Sequence, residues 1–129
     1  MAHILILEPD RLLAGNLQSY FANANHTTSA HGDPQAAVTA ADQQKPDVIV
    51  TELQLAGRTG VEFLYELRSY SDWQDIPIII FTNLQPQQLA SHAEVFEELG
   101  VNRMVFKAGS DLSSLLDTVN QLLPAHAEV

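Results

Sequence analysis

Five short apolar runs divide the chain, and after each of them apolar residues recur at every third or fourth position. The runs are HILIL (3–7), the weaker HTTSA (26–30), DVIVT (47–51), IPIIIF (76–81) and RMVF (103–106). Three of them are continuously apolar, which is the pattern of strands covered on both faces by helices. Between the runs, Leu13, Leu17, Tyr20, Phe21 and Ala24 keep a 3.6-residue period. Asp33-Pro34 reads as an N-cap with proline at the first helical position, opening an Ala-rich helix that ends near Lys45, before Pro46. A third helix carries Val61, Leu64 and Leu67. A fourth carries Leu89, Ala93, Phe96 and Leu99 and stops at Gly100. A fifth presents Leu112, Leu115, Leu116, Val119, Leu122 and Leu123 on one face, capped by Ser110 or Asp111.

Strand and helix alternating five times predict an α/β domain with a parallel sheet between two helical layers. At this length the flavodoxin-like (βα)5 three-layer sandwich fits, with strands in the order 2-1-3-4-5. In open sheets of this kind the site lies at the carboxyl ends of the strands, at the switch point, here between the first and third strands.

Composition narrows the function classes. The 129 residues make one ordinary domain, and 46% hydrophobic residues supply a core. There is no internal repeat, low-complexity tract or linker. No apolar stretch approaches the ~20 residues of a membrane helix, and MAHILILEPD lacks the basic start of a signal peptide. The absence of cysteine excludes disulfides, zinc–thiolate sites and thiol catalysis. A cytoplasmic protein is expected. Six basic residues against 16 acidic ones give a net charge of -10, which repels nucleic acid and anionic lipid. Solubility alone could account for that total. The five histidines, at positions 3, 26, 31, 92 and 126, include no i, i+4 pair and read mostly as surface residues.

The chemistry gathers at the strand ends. The first run is followed by Glu8-Pro9-Asp10, the third by Glu52, the fourth by Thr82-Asn83 and the fifth by Lys107. In the expected topology these bring two or three carboxylates, a hydroxyl and an ammonium to one rim. Any one of them could be polar merely because strands stop where water begins. Together, with Lys107 one of only six basic residues, they form a set suited to a phosphoryl group or a divalent metal.

The segments ILILEPD, KPDVIVTELQLAGRTGVEFLYELR, IPIIIFTN and VNRMVFKAGSDLSSLL, spread over residues 3 to 123, resemble the receiver domain of bacterial two-component response regulators. The resemblance implies an acidic pair after the first strand that helps to hold magnesium, and an acceptor carboxylate after the third. It also implies a Thr and a Lys that read the phosphoryl oxygens, and a switching aromatic on the fifth strand.

Four positions depart from that pattern. Glu52 stands at the acceptor position; its extra methylene displaces the carboxylate by roughly 1–1.5 Å on an unchanged backbone, and phosphoryl transfer depends on positioning. Pro9 replaces the acid that would bind magnesium directly, and Asp10 reads more simply as the cap of the first helix, so any magnesium held by Glu8, Asp10 and Glu52 is expected to be weak. Met104 occupies the switch position without an aromatic ring, while neighbouring Phe106 is expected on the other face. Ala108 follows Lys107 where the family usually has proline, so a trans, differently shaped loop is expected.

These departures predict a pseudo-receiver that is not an enzyme, in which Lys107 pairs directly with Glu52 and signalling proceeds through protein contact. The alternatives are a working acceptor at Glu52 with weakly held magnesium and, at the far end, a flavodoxin-like cofactor binder, which the phosphate-repelling EPDRLL loop disfavours. Family usage points to a partner face on the fourth helix, fifth strand and fifth helix. His92, Phe96, Arg103 and Met104 are the candidates there, core packing being the preferred reading of Phe96. A homodimer through that face is compatible with the resemblance. Residues 1–129 read as a single receiver-like domain ending at LLPAHAEV, with no basic output helix in this chain.

Overall fold

Alternate positions along the central strands face opposite sides of one sheet, and both sides are apolar. Leu5, Leu7, Ile49, Ile78 and Ile80 join one core, while Ile4, Ile6, Val48, Val50, Ile79 and Phe81 join another. A strand buried on both faces must be covered twice, and this produces the three layers. The computed structural model of the chain describes residues 2–55 and 58–123, without the Arg58 side chain. Within them β1 (His3–Leu7), β2 (Thr27–His31), β3 (Val48–Thr51), β4 (Ile78–Thr82) and β5 (Val101–Phe106) form a five-stranded sheet in the order β2-β1-β3-β4-β5. Every pairing in it is parallel. This is the flavodoxin-like order expected from the alternation. His126 lies outside the described residues.

Helices α1 (Arg11–Asn23) and α6 (Leu112–Leu122) cover one face through Leu17, Phe21, Leu115 and Val119. The other face is covered by α2 (Pro34–Gln43), α3 (Gly60–Ser69), α4 (Pro86–Leu89) and α5 (Ala93–Glu98). Aspartates start three of these helices. Asp10 accepts from Leu12 and Leu13 N–H, Asp33 from Ala36 N–H with Pro34 at the first turn, and Asp111 from Ser114 N–H. Among the described residues no helix is long and apolar enough to cross a membrane.

The structure departs from the sequence reading in six places. The fourth helix is not continuous: α4 ends at Leu89, a 3-10 turn spans Ala90–His92, and α5 begins afresh at Ala93. Ser91 and His92 are poor helix formers at exposed positions, and burial of Leu89, Phe96 and Leu99 keeps the apolar period through the break. β2 is shifted one residue toward the C-terminus, and β5 begins two residues before the apolar run, with an irregularity opposite Ile78/Ile79. A short antiparallel ladder, Gln54–Leu55 against Arg58–Thr59, sits in the β3–α3 connection where only a loop was expected. Met104 and Phe106 share one face, both packing toward the α4–α5 core, because positions two apart on a strand point the same way. Lastly, His26 is buried: its Nδ1 accepts from Ala2 N–H and its Nε2 meets Asn120 Oδ1 on α6.

Candidate functional site

The sheet itself sets the backbone of the rim. Glu8 N–H donates to His31 O at 2.9 Å, Glu52 N–H to Leu7 O at 2.9 Å, and Lys107 N–H to Thr82 O at 2.8 Å. Each of the three therefore continues the hydrogen-bond ladder one step past its strand, and its side chain leaves from a fixed point. No cis peptide bond occurs among the described residues, so Lys107–Ala108 is trans, as expected, and the chain then turns through Gly109 at φ +84°.

From those points the side chains converge. Lys107 Nζ donates to Glu8 Oε1 at 2.6 Å and to Glu52 Oε1 at 2.9 Å. Both carboxylate side chains are 4% exposed and that of Lys107 is 13% exposed. The expected Glu52–Lys107 pair is thus present, but Glu8 shares the ammonium and is the nearer partner. The Lys107 ammonium also lies 5.5 Å from the centre of the Phe81 ring. Two carboxylates and one ammonium leave the cluster with one net negative charge.

The remaining carboxylate oxygens are also occupied. Glu52 Oε2 accepts from Leu53 N–H at 2.6 Å and Gln54 N–H at 3.1 Å, and Glu8 Oε2 accepts from Asp10 N–H at 3.1 Å. No buried side-chain polar atom among the described residues lacks a partner. Burial resists ionisation of Glu52, but the neighbouring Thr82 hydroxyl and the hydrogen bonds from the Lys107 ammonium and the Gln54 amide outweigh it. Its carboxyl is held below the ordinary range. For Lys107 burial favours the neutral amine, but the hydrogen bonds and charges of Glu8 and Glu52 prevail and raise its pKa.

Gly60 shapes the loop that follows. A Cβ on it would lie 2.8 Å from Leu53 Cα and 2.9 Å from Glu52 O, and Gly60 N–H donates to Leu53 O at 2.8 Å. Only a residue without a side chain lets the start of α3 close onto the segment that holds Glu52. Residue types alone gave no signal for this role.

The other candidates are placed as follows. Thr82 is fully buried at the end of β4 and its Oγ1 accepts from Leu84 N–H at 3.1 Å. Asp10 does not join the Lys107 cluster; its Oδ1 takes the α1 amides at 3.0 and 3.2 Å. Met104 is half-buried, Arg103 is exposed and donates to Asn102 O, and His92 is exposed with its ring 6.0 Å from that of buried Phe96. The lone tryptophan, Trp73, sits in the turn after α3, before the strand β4 begins, and is held through its carbonyl by Arg68.

A magnesium ion, which the receiver-domain resemblance implies, does not fit these residues. Pro9 offers no side-chain oxygen, the facing oxygens of Glu8 and Glu52 hold an ammonium, and Asp10 caps a helix. Among the described residues no group of three metal-ligating side chains is assembled.

Comparison with known proteins gives a consistent picture. The family model for the response regulator receiver domain matches residues 4–120. The probable transcriptional regulatory protein TcrX of Mycobacterium tuberculosis is 27% identical over 79 residues, covering 61% of this chain and 33% of TcrX. The DNA-binding response regulator MtrA of Mycobacterium leprae is 30% identical over 79 residues, covering 61% of this chain and 34% of MtrA. The chain thus spans about a third of the length of these relatives. Among solved structures, the chemotaxis response regulator CheY4 of Vibrio cholerae superposes with a TM-score of 0.83 at 21% identity, over 95% of this chain and 99% of that one. The signal receiver domain of a histidine kinase from Syntrophus aciditrophicus gives 0.82 at 22% identity, over 95% and 90%. At such identities the likeness is one of fold.

Proposed function

The chain belongs to the response regulator receiver domain family of two-component signalling, and from that premise we propose that it is a pseudo-receiver: a module that signals by protein contact without being phosphorylated and without acting as an enzyme. The observation that carries this reading is the Lys107 ammonium clamped between Glu8 and Glu52. In-line attack on a phosphodonor needs a free carboxylate oxygen and a counter-ion for the phosphoryl group. Both Glu52 oxygens are already engaged, and the cation that would meet the phosphoryl group is engaged with them. Glu52 thereby supplies, within the chain, part of what a phosphoryl group would: a negative charge bonded to Lys107 beside Thr82. It is a partial substitute, with fewer oxygens and less charge.

The partner in this reading is a protein. It docks on the face formed by α4, α5, β5 and α6, where Met104 and Phe106 edge an apolar groove of about 280 Å3 whose floor includes Leu89 and Phe96. Met104 has no hydroxyl and no ring to swing, so in this reading the face lacks an aromatic rotamer switch. A chain of net charge -10 is not expected to meet nucleic acid or membrane directly.

The test is incubation with acetyl phosphate and magnesium followed by intact-mass measurement. The expected result is an unchanged mass. Stoichiometric gain of one phosphoryl group, mapped to Glu52, overturns the reading.

A further inference from the structure

The groove of about 280 Å3 between β5 and the α4–α5 segment is lined by apolar side chains. Leu89 and Phe96 are buried at its base, Met104 and Phe106 are half-buried, and Ala90 and Ala93 stand exposed along its edge. Its volume falls just short of the ~300–1,000 Å3 that encloses a small molecule, so it suits a few side chains presented by a larger partner. One wall is helical, and residues spaced i, i+4 on a helix form ridges that pack against a ridge of the same spacing. Met104, unbranched and polarisable, adapts its shape to what lies against it.

The charge beside the groove is acidic. α5 carries Glu94, Glu97 and Glu98, all exposed. Glu97 lies four positions after Ala93 and thus on the same side of the helix as the groove edge, and Glu94 adjoins Ala93. Arg103 and Lys107, the cations nearest in sequence to Met104 and Phe106, are directed elsewhere. Arg103 occupies the strand face opposite Met104 and donates to Asn102 O, and the Lys107 ammonium is held between Glu8 and Glu52. Exposed charges of this kind select a partner and steer it, while the buried apolar side chains supply the strength of binding.

The same carboxylates disfavour two other occupants. A second copy docked two-fold sets the patch against itself, carboxylate against carboxylate. An acidic segment meets the same repulsion. We propose that the groove takes an amphipathic helix of a partner protein, one that presents a stripe of aliphatic side chains flanked by Lys or Arg. The proposal takes its docking face from the pseudo-receiver reading and adds the chemistry of the partner.

The probe is a synthetic peptide of about 18 residues, with Leu at helical i, i+3, i+4 spacing and Lys elsewhere, and a twin carrying Glu in place of Lys, each titrated into the full chain. The Lys peptide should bind saturably, at least about tenfold tighter than the Glu twin, and gain helicity by circular dichroism. In the wild-type protein the amide resonances of Leu89, Ala93, Phe96, Met104 and Phe106 should shift, and those of Ala2 and His26 should stay in place. Net charge alone also attracts a basic peptide, so two double variants separate the effects. Glu94→Lys with Glu97→Lys should weaken binding at least about tenfold. Asp42→Lys with Asp72→Lys makes an equal change of charge at exposed positions on α2 and in the turn after α3, and should weaken it by less than about threefold.

The proposal is overturned by absence of saturation, by equal affinity for the two peptides, by equal losses in the two double variants, by binding without gain of helix, or by shifts confined to residues outside the groove. Dimerisation in sedimentation equilibrium, with the groove amides shifting as protein concentration rises, overturns it in favour of a second copy. Ala93→Trp, which fills the groove, should abolish binding, and the wild-type shifts locate the peptide whether or not that variant folds. Phosphorylation of Glu52 is read separately by mass. Peptide binding elsewhere strikes the basic partner and leaves the pseudo-receiver reading standing, whereas labelling of Glu52 removes that reading and leaves the groove result standing.

Discussion

Lys107 and Glu8 lie 99 positions apart in the chain, yet the ammonium of one donates to the carboxylate of the other at 2.6 Å, the shortest contact of the rim cluster shared with Lys107. Removing the ammonium therefore leaves two nearly buried carboxylates facing each other. Breaking a buried pair by deleting one partner costs about 3–5 kcal/mol, because the surviving charge is uncompensated. Lys107→Met, which keeps the length and drops the charge, should lower stability by about that amount near neutral pH, measured by urea unfolding. Glu52→Gln should cost less, about 1–2 kcal/mol, since Lys107 keeps Glu8 and the amide can still accept from Leu53 N–H.

The same cluster sets a pH window. Glu52 has its pKa lowered in the folded chain, so its contribution is present above the ordinary value of 4.5 and is lost as pH falls through the folded value. Lys107 has its pKa raised, so its contribution is complete below 10.5 and is lost as pH rises through the folded value. Wild-type stability from the cluster should thus be level between those two pH values and fall away outside them. In Lys107→Met the acid limb should invert: with no ammonium present, protonating the facing carboxylates relieves repulsion, and the deficit relative to wild type should shrink toward about pH 4. Urea midpoints of both proteins across this range provide the check; parallel curves would place the stability of the rim elsewhere.

Much of this was readable from residue order, and what was not has identifiable causes. The alternation of apolar runs specified the layers because a parallel strand must be covered on both faces, a demand that shows in the buried ILIL of β1 and VIV of β3. The rim residues were legible because strand ends in this topology share one edge. The sharing of Lys107 by Glu8 was not, since the reach of a flexible side chain is settled by three dimensions. The split between α4 and α5 was missed because Leu89, Phe96 and Leu99 keep a helical period across the break, and period reports burial, not continuity. His26 was not singled out among histidines read mostly as surface residues because polarity was the only signal; its partners Ala2 and Asn120 come from both ends of the chain.

Asp10 separates two roles by its cost. As a helix cap accepting from Leu12 and Leu13 N–H, its replacement by Ala should lower stability by about 1 kcal/mol and leave the resonance of the Lys107 ammonium unchanged. A metal-holding role would instead appear as magnesium-dependent stabilisation that vanishes in the variant, visible as a shift in thermal midpoint.

Gly60 tests the steric closure of the loop. An added Cβ would meet backbone at 2.8 and 2.9 Å, and backbone yields less easily than the end of a side chain. Gly60→Ala should cost about 1–3 kcal/mol, as overpacking does. Because the contact falls on Glu52 and Leu53, the amide of Leu53 should also exchange faster with solvent. A loss of stability without that local change would mean that the strain had been absorbed in α3.

The sharpest prediction concerns rebuilding the lost chemistry. If length at Glu52 alone prevented phosphorylation, Glu52→Asp would restore it, because the carboxylate would retract by roughly 1–1.5 Å toward the acceptor position. Retraction would also loosen its hold on Lys107, now 2.9 Å away, and free that ammonium for a phosphoryl oxygen. Yet Pro9 would still provide no metal ligand, and phosphoryl transfer relies on a divalent ion to neutralise developing charge. Glu52→Asp alone should therefore gain little labelling from acetyl phosphate and magnesium, while Pro9→Asp with Glu52→Asp should gain at least about tenfold more, read by intact mass over time. Pro9→Asp alone should gain none, since Glu52 would keep both oxygens engaged. Full labelling of the single Glu52→Asp variant would show that acceptor length was the whole defect and that the missing second acid was incidental.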